Sequence, residues 1–98
     1  MPLFLVYLHD VEDNAEIRAR HLQAHMTHIG AHIAGIRLGG PLLREDTQQP
    51  GGGILLVEAQ DLGQVRSMVE ADPYYQAGLW DDVRIQAFRE IINAWRTA

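Results

Sequence analysis

Four of the chain's five histidines fall in one short run, "RHLQAHMTHIGAH", at His21, His25, His28 and His32. Their spacing of 4, 3 and 4 puts them within about a 60° sector of a helix turning ~100° per residue. Imidazole is the side chain best suited to proton transfer near neutral pH, so one of the four could be a general base or acid. An i, i+4 pair could also chelate zinc. No glutamate lies between the histidines to serve as the base of such a motif, and a third ligand would have to come from His9 or an aspartate. Solvated surface histidines are the third reading. Four close imidazoles would oppose one another's charging.

A second stretch, "EADPYYQAGLW", places Asp72 before Pro73 and follows with Tyr74, Tyr75, Gly78, Leu79 and Trp80. It can be read as a helix-terminating turn whose aromatics pack, or as a carboxylate and a hydroxyl held beside a cleft. "GGP" at Gly39–Pro41 suits a bulge, a close backbone approach or a plain turn. "GGG" at Gly51–Gly53 lacks the spacing, the lysine and the following helix of a phosphate loop, and reads as hairpin slack.

The elements that must position these groups follow from periodicity. Leu3–Leu8 is apolar on both alternating faces, as in a central strand covered on both sides. A helix is expected from Ala15 to Ala34, capped by Asn14 or by Asp13 with Glu16, and stopped at Gly35. Leu22, Met26, Ile29 and Ile33 lie about 100° round from the histidines and form the expected buried stripe, which leaves the histidines at its margin. Ile36–Leu43 is a second strand, "REDTQQPGG" a hairpin loop, and Gly53–Ala59 a third strand with a central pattern. Asp61 with Gln64 caps a second helix bearing Val65, Met68 and Val69, and Pro73 ends it. "PYYQAGLW" reads as an irregular connector, "DDVRIQAF" as a half-exposed edge strand, and residues 89–98 as a C-terminal extension.

The order β-α-β-β-α-β is the ferredoxin-like pattern of a four-stranded antiparallel sheet with two helices on one face. The helices leave the other face of both central strands apolar and open, and a second copy of the chain is its expected cover. One domain suits 98 residues. A net charge of −5 and the lack of any basic run argue against nucleic-acid and anionic-membrane partners. With no cysteine there is no disulfide and no thiolate chemistry, which fits a cytoplasmic location. The apolar start is too short for a signal peptide or a membrane span.

Together these stretches resemble the YCII-related (YciI-like) family over nearly the whole chain. The resemblance rests on an Arg-containing helix with a histidine, a "GGPL" strand, a "GGILLVEA" strand, "ADPYYQAGL", and a strand like "VRIQAFR". It implies the ferredoxin-like fold, a dimer of the dimeric α+β barrel type, and a cleft holding a His–Asp pair. One member acts as a dehydrochlorinase in chloroaromatic degradation. The family helix commonly reads "LRxxxRxxHLxxL". Ile17-Arg18 matches its opening and His25 falls on its histidine, sixteen residues before Pro41. His21 fits less well. The second family arginine falls on Leu22, so anion recognition would rest on Arg18 or Arg20. Asp72 matches the family aspartate.

The expected site therefore has His25 as general base or acid and Asp72 as its charge partner. Gly40 and Pro41 would form the wall, Tyr74 would give a hydroxyl or stacking surface, and Arg18 and His21 would bind ligand. The chemistry would be isomerisation or elimination on a small organic molecule, with no metal or cofactor. A non-catalytic dimeric small-molecule-binding module is the alternative.

Overall fold

The first strand, β1, spans Leu3–Asp10, and its alternation appears directly as burial. Phe4, Val6, Leu8 and Asp10 are buried, whereas Leu3, Leu5 and Tyr7 are half-buried. The structure, a computed structural model, describes residues 1–95, so the last three residues of the predicted C-terminal extension lie outside the described residues. After β1 come α1 (Ala15–Ala31), a 3-10 turn (Ile33–Gly35), β2 (Ile36–Leu43), β3 (Pro50–Glu58), α2 (Leu62–Glu70), α3 (Pro73–Gln76) and β4 (Trp80–Phe88). The strands pair antiparallel in the order β2-β3-β1-β4, which makes β1 and β3 central. This is the ferredoxin-like α+β arrangement, and the two doubly apolar strands are the two central ones.

Directly paired residues share a face, so the register separates the two sides of the sheet. Phe4, Val6 and Leu8 align with Val57, Leu55 and Gly53 on one flank and with Ala87, Ile85 and Val83 on the other. Together with Val65, Met68 and Val69 of α2 this side makes the core, and Trp80, Val83 and Ile85 pack against it. On the other side Leu3, Leu5 and Tyr7 align with Glu58, Leu56 and Ile54. Leu38 and Leu42 of β2 and Phe88 of β4 extend that side and are exposed. Among the described residues no helix packs on it.

Several local expectations are corrected. The first helix ends at Ala31, three residues early, and a 3-10 turn completes the connection. Asn14 occupies the N-cap position, but its side-chain oxygen makes no capping bond; its side-chain NH2 donates instead to Asp10 and to the Pro50 carbonyl. Strand β3 begins at Pro50, so Gly51–Gly53 is paired strand and not slack. Gly52 is held to glycine by a close approach, since a Cβ there would run into the Leu8 carbonyl oxygen. In "GGP" only Gly39 is tight, its Cβ position lying 2.5 Å from Leu55 Cδ2, while Gly40 faces open space. Pro73 does more than end α2. It sits at the first turn of α3, where its missing N–H costs nothing, with Asp72 as N-cap. Gly78, with φ 76°, then reverses the chain into β4.

The largest correction concerns α1. No α1 residue is buried, and Leu22, Met26 and Ile33 are more than half exposed. The half-buried positions on this helix are Ile17, Arg18, His21, His25, His28 and Ile29. The histidine-bearing side therefore faces the protein, and most of the apolar stripe faces outward.

Leu79, at 0% exposure, donates its backbone N–H to the Tyr74 carbonyl and accepts from the Val11 N–H, whereas Leu62 is 42% exposed. Leu79→Ala should cost roughly 2–5 kcal/mol in urea unfolding, and Leu62→Ala less than about 0.5 kcal/mol.

Candidate functional site

The site is built around α3. Its four residues begin at Pro73 and are capped by Asp72, whose Oδ1 accepts the Tyr74 backbone N–H at 2.9 Å. Asp72 is buried, and both of its carboxylate oxygens lie within hydrogen-bond reach of His25 Nδ1, at 2.8 and 2.9 Å. A carboxylate placed this way selects the imidazole tautomer protonated at Nδ1. The lone pair then sits on Nε2. Among the described residues that atom has no hydrogen-bond partner, and it is not sealed from solvent. His25 itself is 19% exposed.

Tyr74 fixes the plane of that ring. It is fully packed, with its ring centroid 4.1 Å from that of His25 and the planes 18° apart. Its other contacts are edge-on to Trp80 and, through its hydroxyl, to the Arg18 carbonyl oxygen at 3.3 Å. Burial pushes the Tyr74 phenol above its ordinary range, and the Asp72 and Asp10 carboxylates push the same way against the opposing Arg18 charge. The hydroxyl therefore stays protonated as a structural donor.

A second cluster lies two helical turns towards the N-terminus of α1. The Arg18 guanidinium donates from Nε to Asp10 Oδ2 at 2.6 Å and from Nη2 to Asp10 Oδ1 at 3.2 Å and the Gly52 carbonyl at 3.1 Å. Asn14 donates to the same Asp10 Oδ2 at 2.7 Å and to the Pro50 carbonyl at 2.8 Å. Asp10 is thus a buried carboxylate with its charge matched and its oxygens satisfied. The Arg18 guanidinium carbon also stands 5.5 Å from the centre of the Tyr74 ring.

The remaining predicted residues are placed apart. Gly40 pairs with Ile54 and Pro41 with Gly53, both on the exposed edge strand, with no bond to His25 or Asp72. The His21 side chain makes no hydrogen bond among the described residues and lines a depression of about 730 Å³ with Asp13, Glu16, Arg20, Pro73 and Ala77. His28 contacts the Met68 carbonyl through Nε2 at 2.8 Å, and His32 the His28 carbonyl through Nδ1 at 3.0 Å. His9 pairs with Asp81 at 2.7 Å on the other side of the sheet. Among the described residues no three His, Asp or Glu side chains converge as a metal site would require. A second depression of about 450 Å³, with His32, Val57, Val65 and Met68, lies towards the far end of α1. Neither depression includes His25 or Asp72, and neither joins a base to an orienting acid as that pair does.

Sequence reasoning passed over Asp10 and treated Asn14 only as a cap. Asp10 ends β1 while Asn14 and Arg18 open α1, so no periodicity within one element relates them, and only folding shows that the carboxylate is buried.

A family model described as the YCII-related domain matches residues 2–89. Protein YciI of Escherichia coli is 28% identical over 96 residues, covering 91% of this chain and 98% of that protein. The structure of 5-chloro-2-hydroxyhydroquinone dehydrochlorinase (TftG) from Burkholderia phenoliruptrix, in complex with 2,5-dihydroxybenzoquinone, superposes with a TM-score of 0.83. It is 31% identical, over 89% of this chain and 93% of that one. A Pseudomonas aeruginosa structure at 15% identity and TM-score 0.53 shares the fold, over 93% of this chain and 95% of that one.

The ring-nitrogen signals of His25 should report a proton held on Nδ1. In Asp72→Ala the tautomer balance should move towards Nε2–H, and the lost cap should lower stability by about 1 kcal/mol; a nitrogen-15 spectrum and a urea titration check both.

Proposed function

Because the chain belongs to the YCII-related family, we propose that it is a small acid–base enzyme acting on a small organic substrate through His25 and Asp72. The whole of residues 1–98 would form one catalytic domain working in the cytoplasm. The observation that carries this reading is a ring held by Asp72 at Nδ1 and stacked on Tyr74, with Nε2 left open. In such a pair Nε2 takes a proton from a substrate C–H or O–H, and Asp72 stabilises the imidazolium that forms. For an elimination, the electron pair freed by that proton builds a double bond while a leaving group such as chloride departs with its own pair. For an isomerisation, the imidazolium returns the proton at a second carbon. Neither route needs a nucleotide, a flavin or a metal.

The substrate class best supported is a small hydroxylated or quinonoid ring. The dehydrochlorinase that shares 31% identity holds 2,5-dihydroxybenzoquinone, and here Arg18 and His25 both stand against one tyrosine ring. Arg18 would contact such a ligand. Gly40 and Pro41 are kept as candidate wall positions on the family pattern, and His21 as a candidate binding position for the depression it lines beside Pro73; none of them contacts the pair.

The partner proposed for the open side of the sheet is a second copy of this chain. Leu38 and Phe88 are 47% and 43% exposed there beside the half-buried Leu3, Leu5 and Leu56, an apolar continuity that a two-fold face-to-face contact would cover. Sedimentation should give the mass of a dimer, and Leu56→Arg should give a monomer; a wild-type monomer ends this part of the reading.

Chloride release and ring isomerisation should be measured with chlorinated hydroquinones. His25→Ala should lower kcat by about 10²–10⁴-fold, and Asp72→Asn should also lower it. If wild-type protein binds 2,5-dihydroxybenzoquinone but transforms none of these substrates, the chain is the non-catalytic binding module instead.

A further inference from the structure

The three most exposed large apolar side chains among the described residues stand together after the last strand. Ile91, Ile92 and Trp95 are 79%, 88% and 81% exposed, and they lie beyond residues 2–89, the span that the family model matches. The segment that carries them has bonds of its own. Asn93 Nδ2 donates to Glu90 Oε1 at 2.9 Å, and the Trp95 backbone N–H donates to Asn93 Oδ1 at 3.0 Å. Local bonds of this kind compete with a continued strand and give the segment its own turn. Its root is fixed as well. Phe88 closes β4 in a row with Leu3 and Glu58, and Glu58 accepts from Arg37 Nε at 3.1 Å. That bond, and more weakly the Glu90 carboxylate, raises the Arg37 pKa, so Glu90 stands near the same margin of the sheet.

The open side of the sheet is uneven along its strands. At the end where this segment begins, Leu38, Leu56 and Leu5 form one row, and Leu3 with Phe88 belongs to the next. At the opposite end the same side carries the His9–Asp81 and Arg84–Asp82 pairs, with the Arg84 guanidinium carbon 6.0 Å from the centre of the Tyr7 ring. Covering those charges costs their hydration, whereas covering the leucines gains from leaving water. A body seated on this side is therefore drawn to the apolar end. Ile91 and Ile92 follow Phe88 by three and four residues, within about 14 Å along the chain. Resting on the reading that a second copy covers the open side, we propose that Ile91, Ile92 and Trp95 form an arm that packs against that second copy. A two-fold contact is self-complementary, so each copy gives one arm and receives one. The apolar end of the sheet and the apolar arm are covered together, where a single copy leaves both in water.

The test uses full-length protein. Ile91→Ser, Ile92→Ser and Trp95→Ser are combined in one variant, and Leu62→Ser, at an exposed position on α2, is the control. Sedimentation equilibrium should show the dimer dissociation constant of the arm variant raised at least about tenfold over wild type, and that of Leu62→Ser unchanged. Circular dichroism should be the same for all of them, because no substituted side chain is buried. The emission of Trp95, isolated as the difference between wild type and Trp95→Phe, should be shielded from acrylamide at dimer concentrations and become accessible as the protein is diluted to monomer. A dissociation constant unmoved in the arm variant, or a Trp95 equally accessible in dimer and monomer, overturns the arm while leaving the sheet face as the dimer contact. Equal shielding of Trp95 in dimer and monomer means that the arm folds onto its own chain, and overturns it too. A wild-type protein that is monomeric at every concentration ends the reading of a second copy on the open side, and the arm falls with it.

Discussion

A buried carboxylate at the end of a central strand constrains much of this structure. Asp10 is the last residue of β1, and burying its charge is tolerable only if matched donors converge on it. Arg18 and Asn14 supply them, and the same two side chains reach on to the Gly52 and Pro50 carbonyls of β3. One charge therefore joins two strands to the first turns of α1. Gly52, whose carbonyl Arg18 binds, must itself lack a side chain, because a Cβ there would collide with the Leu8 carbonyl of β1.

Polar anchoring of this kind explains how α1 is attached. Its inward side carries Arg18, His25 and His28, each bonded to another element, and the Arg18 carbonyl receives the Tyr74 hydroxyl. Hydrogen bonds depend on direction in a way that apolar packing does not. They hold the helix at a defined rotation, and that rotation aims the His25 ring at Asp72 and Tyr74. Leu22, Met26 and Ile33 are left outside as a consequence. The reactive pair and the anchoring pair share a helix face and a tyrosine, so the geometry of one depends on the other.

Much of the fold was legible in the chain. The doubly apolar runs of β1 and β3 marked the central strands, and Asp61 with Gln64 marked the start of α2, where Gln64 N–H now donates to Asp61 Oδ1 at 2.8 Å. Of the candidate site, His25 and Asp72 were singled out by their match to a family pattern and stand in contact. The apolar stripe of α1 misled because periodicity reports that a helix has two sides without saying which is turned inward. Asn14 sits at the cap position as its type suggests, but the bonds it makes are non-local: its side-chain NH2 donates to the buried carboxylate four residues earlier and to the Pro50 carbonyl.

The sequence by itself determined the strand order, the antiparallel sheet and the histidine and aspartate worth watching. Each of these follows from patterns within a few residues or from a whole-chain likeness. Only the tertiary structure decided that Asp10 is buried, that Arg18 is already paired, and that the histidine side of α1 faces inward. Those outcomes depend on residues 8, 34 and 47 positions apart being brought together. The energy of a buried charge is set by what surrounds it in space, which no local pattern in the chain records.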